Sequence, residues 1–321
     1  MAQPDEQPAL PIEGDAPTSA RRGHHRRHGA IVTFIIACRP KQWLKNVLVF
    51  AAPAAAGKIF LPSVLTNVVL MAVAFVLTSS GIYLLNDLKD LDADRHHPTK
   101  RFRPIASGEL APTRAALGAL ILLVLGNMLP FIFLNGASGL VVLAYSAITL
   151  AYNYYLKREA VLDIAAVAIG FLLRAMSGGV AAHLPLSNWF LIVASFGSLF
   201  MVSGKRYSEL KLLGEEAGRH RRALDTYSTG YLNFIRALSA GVMITGYCIW
   251  AFDKAAHGHG GALAFQLSII PFVLGVLKYS LVIEEGLAGA PEEVVLSDRT
   301  LVAIGFLWAL LMGIGVILQL R

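Results

Sequence analysis

The chain has 321 residues, 55% of them hydrophobic and only 15% charged, with a formal net charge of +7 and a mean hydropathy of +0.59. That balance excludes a soluble enzyme of this length and predicts an all-α integral membrane protein. The two cysteines, Cys38 and Cys248, lie in or beside apolar stretches and supply no disulfide framework; there is no nucleic-acid-binding motif and no heptad repeat.

Residues 1–29 are rich in Pro, Gln, Glu and Ala and end in the basic run Arg21-Arg22-Gly23-His24-His25-Arg26-Arg27-His28. Low apolar content predicts a disordered tail, with its basic cluster lying on anionic membrane phospholipids. The apolar run behind it is broken by Arg39-Pro40-Lys41, which argues against a signal peptide. Residues 30–321 then read as a single transmembrane domain. A membrane crossing needs roughly 20 apolar residues. Nine stretches answer to that: about 33–56, 64–85, 115–134, 137–156, 161–182, 189–204, 233–252, 263–283 and 300–319. The first is interrupted by Arg39-Pro40-Lys41-Gln42-Trp43, which we expect to form an interfacial helix, with the crossing itself starting near Lys45.

The cations are distributed unevenly between the connections. Of 28 Lys and Arg, 22 fall on the side that holds the N-terminus and only Lys58, Lys254 and Arg321 on the other; Arg174, Arg236 and Lys278 lie within apolar stretches. The positive-inside rule then predicts a cytoplasmic N-terminus and an external C-terminus in the cell membrane. The two long charged connections, 86–114 and 205–232, are both cytoplasmic, and elaborated loops on one face are where chemistry is expected. External His257-Gly258-His259 reads as a polar turn.

The first long connection opens with Asn86-Asp87-Leu88-Lys89-Asp90-Leu91-Asp92-Ala93-Asp94. Four carboxylates in eight residues at a membrane surface call for a counter-ion, and Mg²⁺ carrying a diphosphate is one, because it prefers hard oxygen ligands. If the segment is helical, Asp87, Asp90 and Asp94 stand at i, i+3 and i+7 on one face, and Asp92 lies off it in solvent. Lys100, Arg101 and Arg103 follow, able to hold phosphate charge that a metal leaves exposed. Tyr152, Tyr154 and Tyr155 read as an interfacial aromatic belt. Within the apolar stretches, Arg174 must be paired or face a cavity, and Asp163 is about 16 Å away along the same helix, too far for a direct pair. Lys278, near a helix end, is placed to snorkel.

These residues resemble the UbiA superfamily of intramembrane prenyltransferases. Its signature, N-D-x-x-D-x-x-x-D after the second helix, is matched by Asn86, Asp87, Asp90 and Asp94. The R-P-I-x-x-G segment is matched by Arg103, Pro104, Ile105 and Gly108, and Lys157-Arg158 also fits. The superfamily's second motif, D-x-x-x-D, is altered: in Gly204-Lys205-Arg206-Tyr207-Ser208-Glu209, Lys205 and Glu209 occupy the carboxylate positions. One acidic motif facing Lys205-Arg206 implies fewer metal ions and more direct phosphate contacts. Arg39-Pro40-Lys41-Gln42-Trp43-Leu44-Lys45-Asn46, His97–Ile105 and Gly204–Tyr207 resemble one branch in particular. That resemblance implies transfer of 5-phosphoribose from 5-phosphoribosyl 1-diphosphate (PRPP) to a polyprenyl phosphate such as decaprenyl phosphate. Diphosphate is released, and the product feeds decaprenyl-phosphoryl-arabinose for cell-wall arabinan.

On this reading Asp87, Asp90 and Lys205 carry the catalysis, and Asp87, Asp90 and Asp94 hold Mg²⁺ with Asn86 assisting. Lys100, Arg101, Arg103, Lys205 and Arg206 meet phosphates, Lys45 meets the lipid phosphate, Tyr207 and Glu209 contact ribose hydroxyls, and Lys157 belongs to the substrate-binding set. A homo-oligomer is compatible with all of this. Two rival readings stand beside it. One is prenyl transfer to an aromatic or haem-like acceptor, which the cations of 39–46 and Lys205 disfavour. The other is a secondary transporter, which would place its ligands near the midplane rather than at one surface.

Overall fold

The computed structural model describes residues 29–214, 222–257, 261–286, 289 and 291–319. The basic tail to His28, Arg219, Arg221, the Gly258-His259 turn and Arg321 lie outside the described residues. Among those described, every regular element is a helix. In chain order they are α1 (Ala30–Ala37), a 3₁₀ helix (Pro40–Phe50), α2 (Ala51–Ala55), α3 (Pro62–Lys89), α4 (Leu91–His96) and α5 (Pro112–Phe133). There follow α6 (Gly136–Tyr154), α7 (Leu162–Ala181), α8 (Asn188–Leu213), α9 (Thr229–His257), α10 (Ala262–Leu267), α11 (Ile269–Glu284), α12 (Pro291–Ser297) and α13 (Arg299–Gln319).

The helix starts are set by local chemistry. Pro62 and Pro112 stand in the first turns of α3 and α5, where a missing N–H costs nothing. The Asn135 side chain accepts from Ser138 N at 2.8 Å to cap α6, and Ser187 Oγ accepts from Phe190 N at 3.1 Å to cap α8. Along α3 the buried side chains Val64, Val68, Met71, Phe75, Thr78 and Ile82 recur at three- and four-residue steps and face the bundle, where α5, α6 and α7 pack against them.

Among the described residues, seven segments are long and apolar enough to cross a membrane: α3, α5, α6, α7, α9, α10 with α11, and α13. Large apolar side chains on their outer faces, such as Leu120 (60% exposed), Ile132 (69%) and Phe306 (70%), are placed for lipid rather than water. The chain is a multi-pass membrane protein. Two of the nine expected crossings do not qualify. The stretch 33–56 is three short helices, because Arg39 takes the left-handed conformation (φ +56°) between α1 and the 3₁₀ helix. At 26 residues α8 has the length, but its serines and Lys205 dilute its apolarity.

The broken first segment is held against α7. There the backbones approach so closely that a Cβ on Gly178 would lie 1.9 Å from the Val49 carbonyl oxygen. Small residues at such crossings are how membrane helices gain contact without a hydrophobic drive. This packing leads Lys41, Lys45 and Asn46 along the bundle beside α3 and α7. Both cysteines are free, with Cys38 buried.

Candidate active site

The acidic stretch straddles a helix break. Asp87 is in the last turn of α3, Asp90 stands at the joint (φ −91°, ψ 11°), and Asp94 belongs to α4. The single continuous face expected of Asp87, Asp90 and Asp94 is therefore not formed. Asp87 and Asp94 nonetheless converge, both buried, on one atom: Arg103 Nη1 donates to Asp87 Oδ1 at 3.1 Å and to Asp94 Oδ2 at 2.6 Å. Arg39 Nη2 donates to Asp87 Oδ1 as well, with its guanidinium 5.1 Å from the centre of the Tyr83 ring. Two carboxylates buried side by side call for compensating cations, and two arginines match two acids here. Asp90 makes no ion pair among the described residues, Asn86 is half-buried, and Asp92 is 93% exposed beside Arg95.

Of the three downstream cations only Arg103 enters this cluster. Lys100 and Arg101 are exposed in a 3₁₀ turn, Lys100–Phe102, which His97 Nδ1 fixes by accepting from the backbone of Thr99 and Lys100. They form a cationic rim beside a buried neutral centre. Lys45 is half-buried in the 3₁₀ helix and Lys157 half-buried in the turn Leu156–Arg158.

The second charged segment divides between two networks. Arg206, 2% exposed, binds Asp163 bidentately (Nε to Oδ2 at 2.6 Å, Nη2 to Oδ1 at 3.1 Å), and its Nη1 donates to Glu209 at 2.9 Å. Tyr152 OH completes the set, donating to Asp163 and accepting from Arg206. Four of the five N–H donors of Arg206 are thus engaged by protein groups, and the side chain fixes α8 to α7 and holds Glu209. Lys205 is half-exposed at the same helix end. Tyr207, buried, donates to Glu284 at 2.7 Å, beside Arg236, and its side chain does not share the partners of Glu209. The reason is helical geometry, since residues one or two apart on a helix do not face each other.

The end of α6 links these groups. Lys89, at the end of α3, donates to the Asn153 carbonyl at 2.8 Å and lies 4.1 Å from the Tyr154 ring centre, while neighbouring Tyr152 belongs to the Arg206 network. Both charged segments therefore sit at one end of the bundle. Two of the expected belt tyrosines are tied into this bridge, while Tyr155 is exposed. Asp163 itself is presented by a strained turn: Val161, a β-branched residue, has φ +67°. The Tyr227 hydroxyl accepts from Val161 N at 2.9 Å, and burial holds that hydroxyl above its ordinary range. Tyr227→Phe leaves a backbone N–H unpaired at a cost of about 1–2 kcal/mol. We expect a lower unfolding midpoint and slower turnover, and an unchanged midpoint would show that the turn needs no such clamp.

Sequence reasoning also missed what surrounds the intramembrane cations. Arg174 donates to Asn46 Oδ1 at 3.0 Å, Gly170 O at 3.1 Å and Tyr145 OH at 2.5 Å, and lies 4.4 Å from the Tyr145 ring centre. It ties the 3₁₀ helix to α6 and α7, and its partner was hidden because Asn46 is 128 residues away. Lys278 pairs with Asp298 at 3.0 Å, at the head of α13.

No three His, Cys, Asp or Glu side chains gather as a ready-made metal site among the described residues. Two carboxylates do meet at one cation, the Arg103 guanidinium, and paired hard oxygen donors suit a divalent ion that leaves positions free for phosphate oxygens. The donor chemistry fits such an ion, with Asp87 and Asp94 at its centre.

Residues 46–297 match the UbiA prenyltransferase family. The chain is 45% identical over 278 residues to a protein of Corynebacterium glutamicum named decaprenyl-phosphate phosphoribosyltransferase, covering 85% of this chain and 83% of that one. It is 42% identical over 284 residues to a protein of the same name from Mycobacterium tuberculosis, covering 87% and 93%. The fold is similar to that of a UbiA homolog from Archaeoglobus fulgidus solved with DMAPP and Mg²⁺ (TM-score 0.68, 18% identity, 88% of this chain and 97% of that one).

Proposed function

The chain belongs to the UbiA prenyltransferase family, and on that premise we propose that it transfers 5-phosphoribose from PRPP to a polyprenyl phosphate, decaprenyl phosphate in the first instance, releasing diphosphate. What carries the reading is the high identity, over more than four-fifths of both chains, to relatives bearing the name of that activity. The altered second motif agrees with it: both substrates are anionic, and Lys205 replaces a carboxylate that two-motif members use for metal.

Asp87 and Asp94, with Asp90 and Asn86 beside them, are the residues to hold Mg²⁺. Such an ion neutralises the charge that develops on the leaving diphosphate. Arg39 and Arg103, already at the carboxylates, are positioned to turn from acid to phosphate when the donor arrives, and exposed Lys100 and Arg101 extend that binding surface. The C1–oxygen bond to diphosphate breaks, and an oxygen of the lipid phosphate forms a new bond to C1, which is oxocarbenium-like between the two. That oxygen is ionised beforehand, so no general base is needed, and alignment and electrostatics carry the rate. Lys45 meets the lipid phosphate, with Lys157 and Lys205 completing the cationic wall. Glu209, held by Arg206, is the acid left to face ribose hydroxyls. From the charge asymmetry we place this end, with the N-terminus, on the cytoplasmic side of the cell membrane and the C-terminus outside.

The test is a choice of donor. Labelled PRPP with polyprenyl phosphate yields labelled lipid, and labelled prenyl diphosphate with an aromatic acceptor yields none; the reverse result returns the protein to prenyl transfer. Lys205→Asp is expected to raise the KM for PRPP about tenfold or more, since it replaces attraction with repulsion toward a polyanion. An unchanged KM would make Lys205 a surface residue.

A further inference from the structure

The end of the bundle opposite the acids holds a second cationic feature. Lys58 precedes the first turn of α3, so it lies about 40 Å along the helix axis from Asp87. Lys254 is near the far end of α9. These are the two described Lys or Arg residues that the charge asymmetry leaves at this end, and both line one pocket of about 350 Å³. The pocket lies between α2, the turn at 182–187, the start of α8 and the end of α9. Leu184, Leu186, Phe190 and Trp250 supply its apolar wall.

Neither lysine makes an ion pair or a side-chain hydrogen bond among the described residues, and no carboxylate lines the pocket; Asp253, next to Lys254 in sequence, is not part of its wall. The reactive centre does not use these groups, since it sits at the other end of α3. Two ammonium groups with no partner among the described residues, beside an apolar wall that includes a tryptophan, suit an amphipathic anion: phosphate at the lysines and acyl chain along the wall. Inorganic phosphate would leave that wall unused.

We propose that this pocket binds the headgroup of an anionic phospholipid through Lys58 and Lys254, at the face opposite the transfer site. The experiment is native mass spectrometry of the full chain in neutral detergent, titrated separately with phosphatidylglycerol, phosphatidylcholine and inorganic phosphate. At about 1 kcal/mol per cation, the tightest phosphatidylglycerol binding is expected to weaken about 30-fold in Lys58→Ala/Lys254→Ala. Lys58→Arg/Lys254→Arg retains it, phosphatidylcholine binds both forms alike, and phosphoribosyl transfer and the unfolding midpoint in lipid-free detergent are unchanged. Equal phosphatidylglycerol affinity in wild type and the Ala/Ala variant would overturn the proposal. So would displacement of the lipid by millimolar inorganic phosphate, which would mark a site for a free anion instead.

Discussion

Asp87→Asn is expected to lower phosphoribosyl transfer by about three orders of magnitude and to lower the unfolding midpoint as well. The first effect follows from losing a ligand of the divalent ion that neutralises diphosphate, a contribution of several kcal/mol. The second follows from burial: Asp87 is 3% exposed and answers to both Arg39 and Arg103, so its neutral replacement leaves two guanidiniums under-compensated. Asp90→Ala separates the two effects. Asp90 stands at the joint between α3 and α4 with no ion pair among the described residues, so its loss should slow transfer while leaving the midpoint in place. Thermal unfolding in detergent and initial rates on the same preparations decide both. Wild-type turnover by Asp87→Asn at low Mg²⁺ would remove Asp87 from the metal site.

Asp163→Asn is expected to destabilise the protein by about 3–5 kcal/mol, the cost of leaving one partner of a buried ion pair alone. Asp163 and Arg206 are 0% and 2% exposed, and Asp163 receives two of the guanidinium's bonds. Arg206→Lys should cost nearly as much, because an ammonium cannot reproduce the bidentate fork. Denaturant or thermal unfolding of the two variants gives the measurement. A change below about 1 kcal/mol in both would show that the pair is solvated in the membrane-bound protein. A double variant, Asp163→Asn/Arg206→Met, should recover part of the loss by removing the orphaned charge.

The acidic stretch was legible because four carboxylates at the end of an apolar run have few structural uses. Its geometry was not: a sequence period of 3.6 continues unbroken through Asp90, whereas the chain turns there and brings Asp94 to Asp87 through Arg103. Arg39 was read as an interruption of the first crossing, which it is, but its ion pair to Asp87 spans 48 residues and leaves no local signal. The left-handed turn at Arg39 likewise follows from packing rather than from residue type, since only glycine or asparagine would have announced it. Within one altered motif, Lys205 and Arg206 were read for phosphates and Tyr207 and Glu209 for ribose hydroxyls. Helical rotation sends Arg206 and Tyr207 into separate networks, anchored by Asp163 and Glu284, which lie 43 and 77 residues away. Most of the crossings were legible from apolar length alone. The bundle's polar joints, Arg174 to Asn46 and Lys278 to Asp298, were not, because a lone charge in an apolar run names a need and not the partner that meets it.

The most direct measurement uses the purified full chain in detergent or nanodiscs with polyprenyl phosphate, Mg²⁺ and ribose-labelled PRPP, following label into the organic phase. Labelled lipid is expected to form in step with released diphosphate, to be abolished by chelating the metal and to fall about a thousandfold in Asp87→Asn. Label that stays in the aqueous phase, with folded protein and both substrates present, would contradict the proposed transfer.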